Sequence, residues 1–227
     1  MKINIAYLYP DYMNLYGEIG NIKAITHELE NQEVKTNIDC LSINENIDFE
    51  KYDLFVMGCG TEKNRLLILT DLMSHKEELE KSFNENKHFL VTGNALALFG
   101  KSIEDNDNKV YETLNLFSFN EKYDVKRTVK EINITNKIVS NDIYGFINRQ
   151  GSLFNESENL FDFFIKQNNF YGTTLLGPVL VRNPKLLEEF ITNLIKIKDE
   201  DYELKPFDFT LEEKAYEEFI LFKKDKK

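Results

Sequence analysis

Short apolar runs alternate along this chain with longer stretches in which apolar residues return every three or four positions, the pattern of strands separated by helices. Ile3-Asn4-Ile5-Ala6-Tyr7-Leu8-Tyr9 reads as a first strand, closed by Pro10-Asp11. A polar, glycine-punctuated loop follows, Asn14-Leu15-Tyr16-Gly17-Glu18-Ile19-Gly20-Asn21, and feeds a helix over residues 21–31 on which Ile22, Ile25 and Leu29 form one buried stripe. Val34 to Leu41 predicts a second strand. Tyr52 to Met57 predicts a third that ends at Gly58-Cys59-Gly60-Thr61, and one amphipathic helix follows from Lys63 to Phe83. The fourth strand, Phe89 to Val91, turns at Thr92-Gly93-Asn94 into a short apolar helix that stops at Gly100. Such alternation implies βαβ units: an α/β fold with a mostly parallel central sheet and helices on both faces.

From Ile103 to Tyr171 the pattern changes. Short strand candidates, Val125 to Ile134 and Ile143 to Ile147, sit among Asn, Asp, Glu and Ser. They are expected as antiparallel additions at the sheet edge, folded into a single domain over residues 1–227. Tyr171 to Leu180 predicts a strand and a turn. Pro184 opens a helix to Lys198 with Leu186, Leu187, Phe190, Ile191, Leu194 and Ile195 on one face, and Pro suits an early helical position. A charged linker containing Pro206 leads to a last helix, Leu211 to Lys223. There is no internal repeat and no low-complexity tract.

Composition narrows the choice of partners. The balance of 28 basic against 39 acidic residues gives a formal net charge of −11, which argues against nucleic acid or an anionic membrane, since either needs a basic face. Two cysteines, Cys40 and Cys59, lack any Cys-x-x-Cys spacing, so neither a disulfide framework nor a structural zinc site is expected. Each lies beside an apolar run and reads as a small buried residue. No metal or cofactor is implied. The first strand begins almost at once, without a signal-peptide pattern, and no apolar stretch approaches the roughly 20 residues that span a bilayer. The expected location is the cytoplasm.

In open α/β sheets, ligands bind at the carboxyl ends of the strands. The loop after the first strand, Gly58-Cys59-Gly60, the turn at Gly93 and the turn at Leu176-Gly177 should all gather there. Gly58-Cys59-Gly60 could expose backbone N–H groups to an anion or an oxyanion, although glycines after a strand also simply mark a tight turn. A strand that turns sharply into a helix is where many α/β hydrolytic enzymes mount a nucleophile on a strained residue. Here that position falls on Gly93, which has no side chain.

These features together resemble the class I glutamine amidotransferase domain of the cobyric-acid-synthase-like branch, on the side of the glutaminase subunits of lipid II isoglutaminyl synthases. The resemblance rests on Asn14-Leu15-Tyr16-Gly17 with Gly20-Asn21, Gly58-Cys59-Gly60, Phe99-Gly100-Lys101, Gly145-Phe146-Ile147-Asn148, and Gly172-Thr173 with Gly177-Pro178. It covers nearly the whole chain. It implies a flavodoxin-like amidotransferase fold and a mechanism in which an elbow cysteine thiolate attacks the carboxamide of glutamine with a histidine as base. The ammonia then passes to a partner, a Mur-ligase-like, ATP-using subunit that amidates a peptidoglycan precursor. A heterodimer is the implied assembly. Oxyanion contacts would come from backbone N–H groups near Gly60 and Asn94.

Both essential positions of that pattern depart from it. Gly93 stands where the resemblance places the cysteine, and Leu176 where it places the histidine, just before the Gly-Pro pair. Neither can attack a carbonyl or move a proton. Glycine tolerates the positive φ of an elbow, so the turn can outlive its chemistry. The resulting expectation is a degenerate subunit that cannot hydrolyse glutamine. Two alternatives stay open: an active enzyme with Cys59 as a non-standard nucleophile, its pKa lowered by the glycine turn, or a stand-alone binding or scaffold protein. His88, His27 and His75 are poorly placed to serve as its base, and Thr92 should point away from the elbow. Arg127, in Lys126-Arg127-Thr128, aligns with an arginine near the family's glutamine site, or is a solvated edge-strand arginine. In the first case it would pair with a glutamine carboxylate and retain weak binding.

Overall fold

In the computed structural model, residues 1–135, 142–155, 158–159 and 164–224 are described. The amino-terminal half alternates β1 (Lys2–Leu8), α1 (Ile19–Asn31), β2 (Lys35–Leu41), β3 (Leu54–Met57), α2 (Glu62–Ser74), α3 (Lys76–Asn84) and β4 (His88–Thr92). A 3-10 helix, Gly93–Phe99, leaves β4 directly. After it come β5 (Ser102–Glu104), β6 (Val110–Glu112), β7 (Asn120–Ile134), β8 (Ile143–Asn155), β9 (Glu158–Asn159), β10 (Phe164–Gln167) and β11 (Phe170–Thr173). Helices α4 (Val179–Arg182), α5 (Pro184–Lys198) and α6 (Thr210–Lys224) close the chain.

The principal sheet has the order β10-β11-β4-β3-β1-β2. All its ladders are parallel except the antiparallel pair of β10 with β11 at one edge. Its β3 and β4 are buried throughout, as strands covered on both faces must be. One face carries the buried positions of α1 and α5, among them Ile22, Ile25, Leu187 and Phe190. The other carries α2, α3 and an aromatic cluster in which Phe55 stacks on Phe89 at 5.0 Å and Phe89 on Phe170 at 5.7 Å. The α/β architecture expected from the alternating pattern is therefore the observed one.

Three local expectations differ from what is found. The stretch from Lys63 to Phe83 is two helices, because His75 leaves helical geometry (φ −103°, ψ 14°) and lays its ring 5.4 Å from Phe49. That bend lets Leu79 and Phe83 reach the same core as Ile68 and Leu72, and no Pro or Gly announces it. Cys40 is exposed rather than buried, because β2 is an edge strand. The residues after Gly100 do not simply extend the sheet edge. They build a second, five-stranded sheet, β6-β5-β7-β8-β9, dominated by the long β7–β8 hairpin. Among the described residues only β10 is an antiparallel addition at the edge of the principal sheet.

The second sheet is fixed to the first by buried charge. Arg65 on α2 pairs with Glu121 of β7 at 2.5 Å, and Glu121 pairs with Arg149 of β8 at 3.2 Å. Arg65 also donates to the Tyr123 hydroxyl at 3.0 Å and to the carbonyl of Asn94, beside the elbow, at 2.9 Å. Removing one partner of such a buried set strands the others without water or counter-charge. Glu121→Gln is expected to lower unfolding stability in urea titration by about 3–5 kcal/mol. Glu104→Gln, which breaks the exposed pair with Lys122, is expected to cost under about 1 kcal/mol.

Candidate functional site

The carboxyl ends of β1, β3, β4 and β11 bring the four expected loops together, and Glu18 binds them. Its side chain is fully buried. One carboxylate oxygen accepts from the Thr92 hydroxyl at 2.6 Å, the residue immediately before the elbow. The other accepts from the Gly177 N–H at 2.7 Å, the residue after Leu176. The Cys59 N–H also donates to it. Gly58 makes this approach possible: a Cβ there would lie 2.4 Å from that of Glu18. All these partners are donors, so they favour the ionised carboxylate. Burial outweighs them and pushes the Glu18 pKa up to about 7.

Gly93 has the positive φ expected of an elbow, +63°. The space its side chain would take is occupied. A Cβ on Gly93 would lie 2.6 Å from Cys59 Cβ, 2.7 Å from Leu176 Cδ2 and 2.9 Å from Cys59 Sγ. The two positions expected to carry the nucleophile and the base are thus neighbours, with the Leu176 side chain and Cys59 in the space that a side chain on residue 93 would take. Leu176 is held there by a backbone bridge to Phe146 of β8, its N–H donating at 2.8 Å.

Cys59 does not have the activated thiol that its glycine turn suggested. Burial pushes its pKa up to about 12, and its Sγ lies 3.2 Å from Asn94 Oδ1, an acceptor for the thiol proton. The histidines offer no base. His27 lies on α1 and His75 at the break between α2 and α3, while His88 is buried at the opposite end of β4 against Phe190, its pKa pushed down to about 3 by burial. Thr92 points away from the elbow opening, as expected, toward Glu18.

Of the expected oxyanion contacts, the one at Gly60 is engaged. The Gly60 N–H donates to Asn94 Oδ1 at 3.1 Å, and Asn94 Nδ2 donates to the Gly60 carbonyl at 2.7 Å. An incoming anion must displace the Asn94 amide to reach that N–H.

Beside Gly60 lies a cleft of about 230 Å³ lined by Leu15, Tyr16, Thr61, Glu62, Arg127 and Asn148. Arg127 reaches this cleft, although it is also exposed. Its guanidinium pairs with Glu62 at 2.5 Å and donates to Asn148 Oδ1 at 3.0 Å. Asn148 in turn donates to the Tyr16 hydroxyl at 2.9 Å. A cation, a carboxylate and two neutral polar groups therefore meet at one opening next to the elbow. Glu18 and Glu62 were not singled out by sequence. The only signal for Glu18 was a carboxylate inside the Asn14–Asn21 run.

A family profile described as the CobB/CobQ-like glutamine amidotransferase domain matches residues 4–180. The chain is 26% identical to the Streptococcus pneumoniae protein named lipid II isoglutaminyl synthase (glutamine-hydrolyzing) subunit GatD, across 96% of this chain and 90% of that one. It is 24% identical to the Staphylococcus aureus protein of the same name, across 96% and 95%. A solved glutamine amidotransferase shares the fold, with a TM-score of 0.52 at 10% identity over 83% of this chain and 98% of that one.

Two outcomes follow from the geometry. Gly93→Cys alone places a Cβ at positive φ into a filled space and is expected to lose about 2–5 kcal/mol in urea unfolding, without gaining glutamine hydrolysis. Glu18 has a folded pKa raised from 4.5 to about 7, so the folded state holds the extra proton between those values. Its contribution to stability therefore falls as pH rises through that window, by on the order of 3 kcal/mol. Glu18→Gln is expected to flatten this slope when unfolding is measured at a series of pH values.

Proposed function

Because the chain belongs to the CobB/CobQ-like glutamine amidotransferase family, we propose that it is a GatD-like subunit of a lipid II isoglutaminyl synthase-type complex that no longer hydrolyses glutamine. The observation that carries this reading is the packing of Cys59 and Leu176 into the space beside Gly93. With no nucleophile on the elbow and no imidazole in reach, a thioester with glutamine cannot form. Cys59 as a substitute would have to lose a proton from a buried thiol whose pKa is pushed up to about 12, and its Sγ faces the Asn94 side-chain oxygen, an amide acceptor and not a base.

In this reading the partner is a Mur-ligase-like, ATP-using subunit in a heterodimer, working in the cytoplasm on a peptidoglycan precursor. Support comes from two relatives, each named as a subunit, that match this chain almost end to end. The ligase would draw on free ammonia, and this chain would stabilise or position it. Arg127 and Asn148 at the cleft could still hold the carboxylate of glutamine, weakly, since Glu62 already engages the guanidinium.

The test is to purify the complex from native extract and supply isotopically labelled ammonium or amide-labelled glutamine in separate reactions. Label is expected to enter the product from ammonium and not from glutamine. Transfer from glutamine, blocked by alkylating Cys59, would overturn the proposal in favour of a non-standard nucleophile. Absence of any ligase in the purified material would favour the stand-alone scaffold.

A further inference from the structure

The outer edge of β2 carries information that the candidate site does not use. β2 is terminal in the principal sheet, and it pairs in parallel with β1 along its full length. Lys35 N–H donates to the Met1 carbonyl, and the Leu41 carbonyl accepts from Tyr9 N–H. Residues of the odd-numbered set therefore direct their backbone groups inward. By alternation, Thr36, Ile38 and Cys40 direct theirs outward. Among the described residues no group is bonded to those outward N–H and C=O groups. On the α1 face of the same strand Ile38 is 40% exposed and Cys40 is exposed.

An open edge with exposed apolar side chains is a template for another strand. The strand that fits is its own copy. We propose that two copies of this chain associate by antiparallel pairing of β2 with β2, about a two-fold axis through Ile38. In that register Thr36 faces Cys40 of the second copy and Ile38 faces Ile38, so every outward N–H and C=O of the strand finds a partner. Asn37 faces Asp39, an amide donor opposite a carboxylate. Lys35 faces Leu41. No like charges stand opposite one another, which would disfavour the pairing.

Asp39 is already engaged by Lys51 and by the Tyr52 hydroxyl, so its charge is compensated before the second copy arrives. The alternative two-fold centre, at Asn37, pairs Thr36 with Ile38 and leaves the outward groups of Cys40 without partners. The interface is isologous and closes after two copies, giving one sheet that runs through both.

The experiment uses the full chain in sedimentation equilibrium at tens of micromolar. A dimer is expected, and it should persist in reducing agent because Cys40 faces Thr36 rather than its own mate. Ile38→Lys is expected to weaken the dimer at least tenfold while circular dichroism stays unchanged. In a Cys40→Ser background, Ile38→Cys should cross-link on oxidation, since directly opposed residues of a hydrogen-bonded pair lie about 5.5 Å apart at Cα, within disulfide range. Asn37→Cys in the same background should not. A monomer at these concentrations overturns the proposal, as does a dimer unaffected by Ile38→Lys. Cross-linking at position 37 in place of 38 overturns the register.

Discussion

One buried carboxylate holds four segments of this protein in place. Glu18 sits in the loop after β1 and receives hydrogen bonds from Thr92 at the end of β4, Gly177 after β11, and the backbone of Cys59 after β3. Each segment belongs to a different crossover of the sheet, and these bonds are what give the loops a common register. The cost is a carboxylate buried away from water, which is why its proton affinity is so high. In chemical terms the elbow keeps its scaffold. The strand, the sharp turn and the close-packed glycines form it, and the turn position itself, Gly93, carries no side chain.

The space beside Gly93 is packed rather than left as a hole. An empty space between Gly93 and residue 176 would cost stability in proportion to its volume. Leu176 and Cys59 occupy it, and the Asn94 side chain closes the remaining polar groups of the Gly60 turn. The backbone of Asn94 is tied in addition to Arg65, and through Arg65 to the second sheet. The elbow is therefore braced from both sheets at once.

The principal sheet was legible in the sequence because buried parallel strands announce themselves as apolar runs, and because α1 and α5 bury stripes of regular period. The elbow was legible too, from Gly93 and from the apolar helix after it. The second sheet was legible only in part: the strand candidates Val125 to Ile134 and Ile143 to Ile147 fall within β7 and β8, which pair antiparallel, but their separation from the principal sheet was not readable. β7 is largely exposed, and its polar residues carry no period to read, while the sheet's anchor is a pair of arginines that sequence alone would place on the surface. The break at His75 was hidden for a similar reason: its cause is a tertiary contact with Phe49, not a helix-breaking residue. Spacing placed Cys59 correctly at the sheet edge and misjudged its proton affinity, since the depth of burial belongs to the assembled loops and not to the Gly-x-Gly turn. The contact that answers Arg127 lay beyond sequence reading, because Glu62 and Arg127 are 65 positions apart.

The Arg127–Glu62 pair has a consequence for anything entering the cleft beside Gly60. A carboxylate arriving from solution competes with one tethered to the same framework, and tethered partners act at effective concentrations on the order of millimolar or more. A carboxylate-bearing ligand would therefore meet, before any question of shape, a competitor already seated on Arg127.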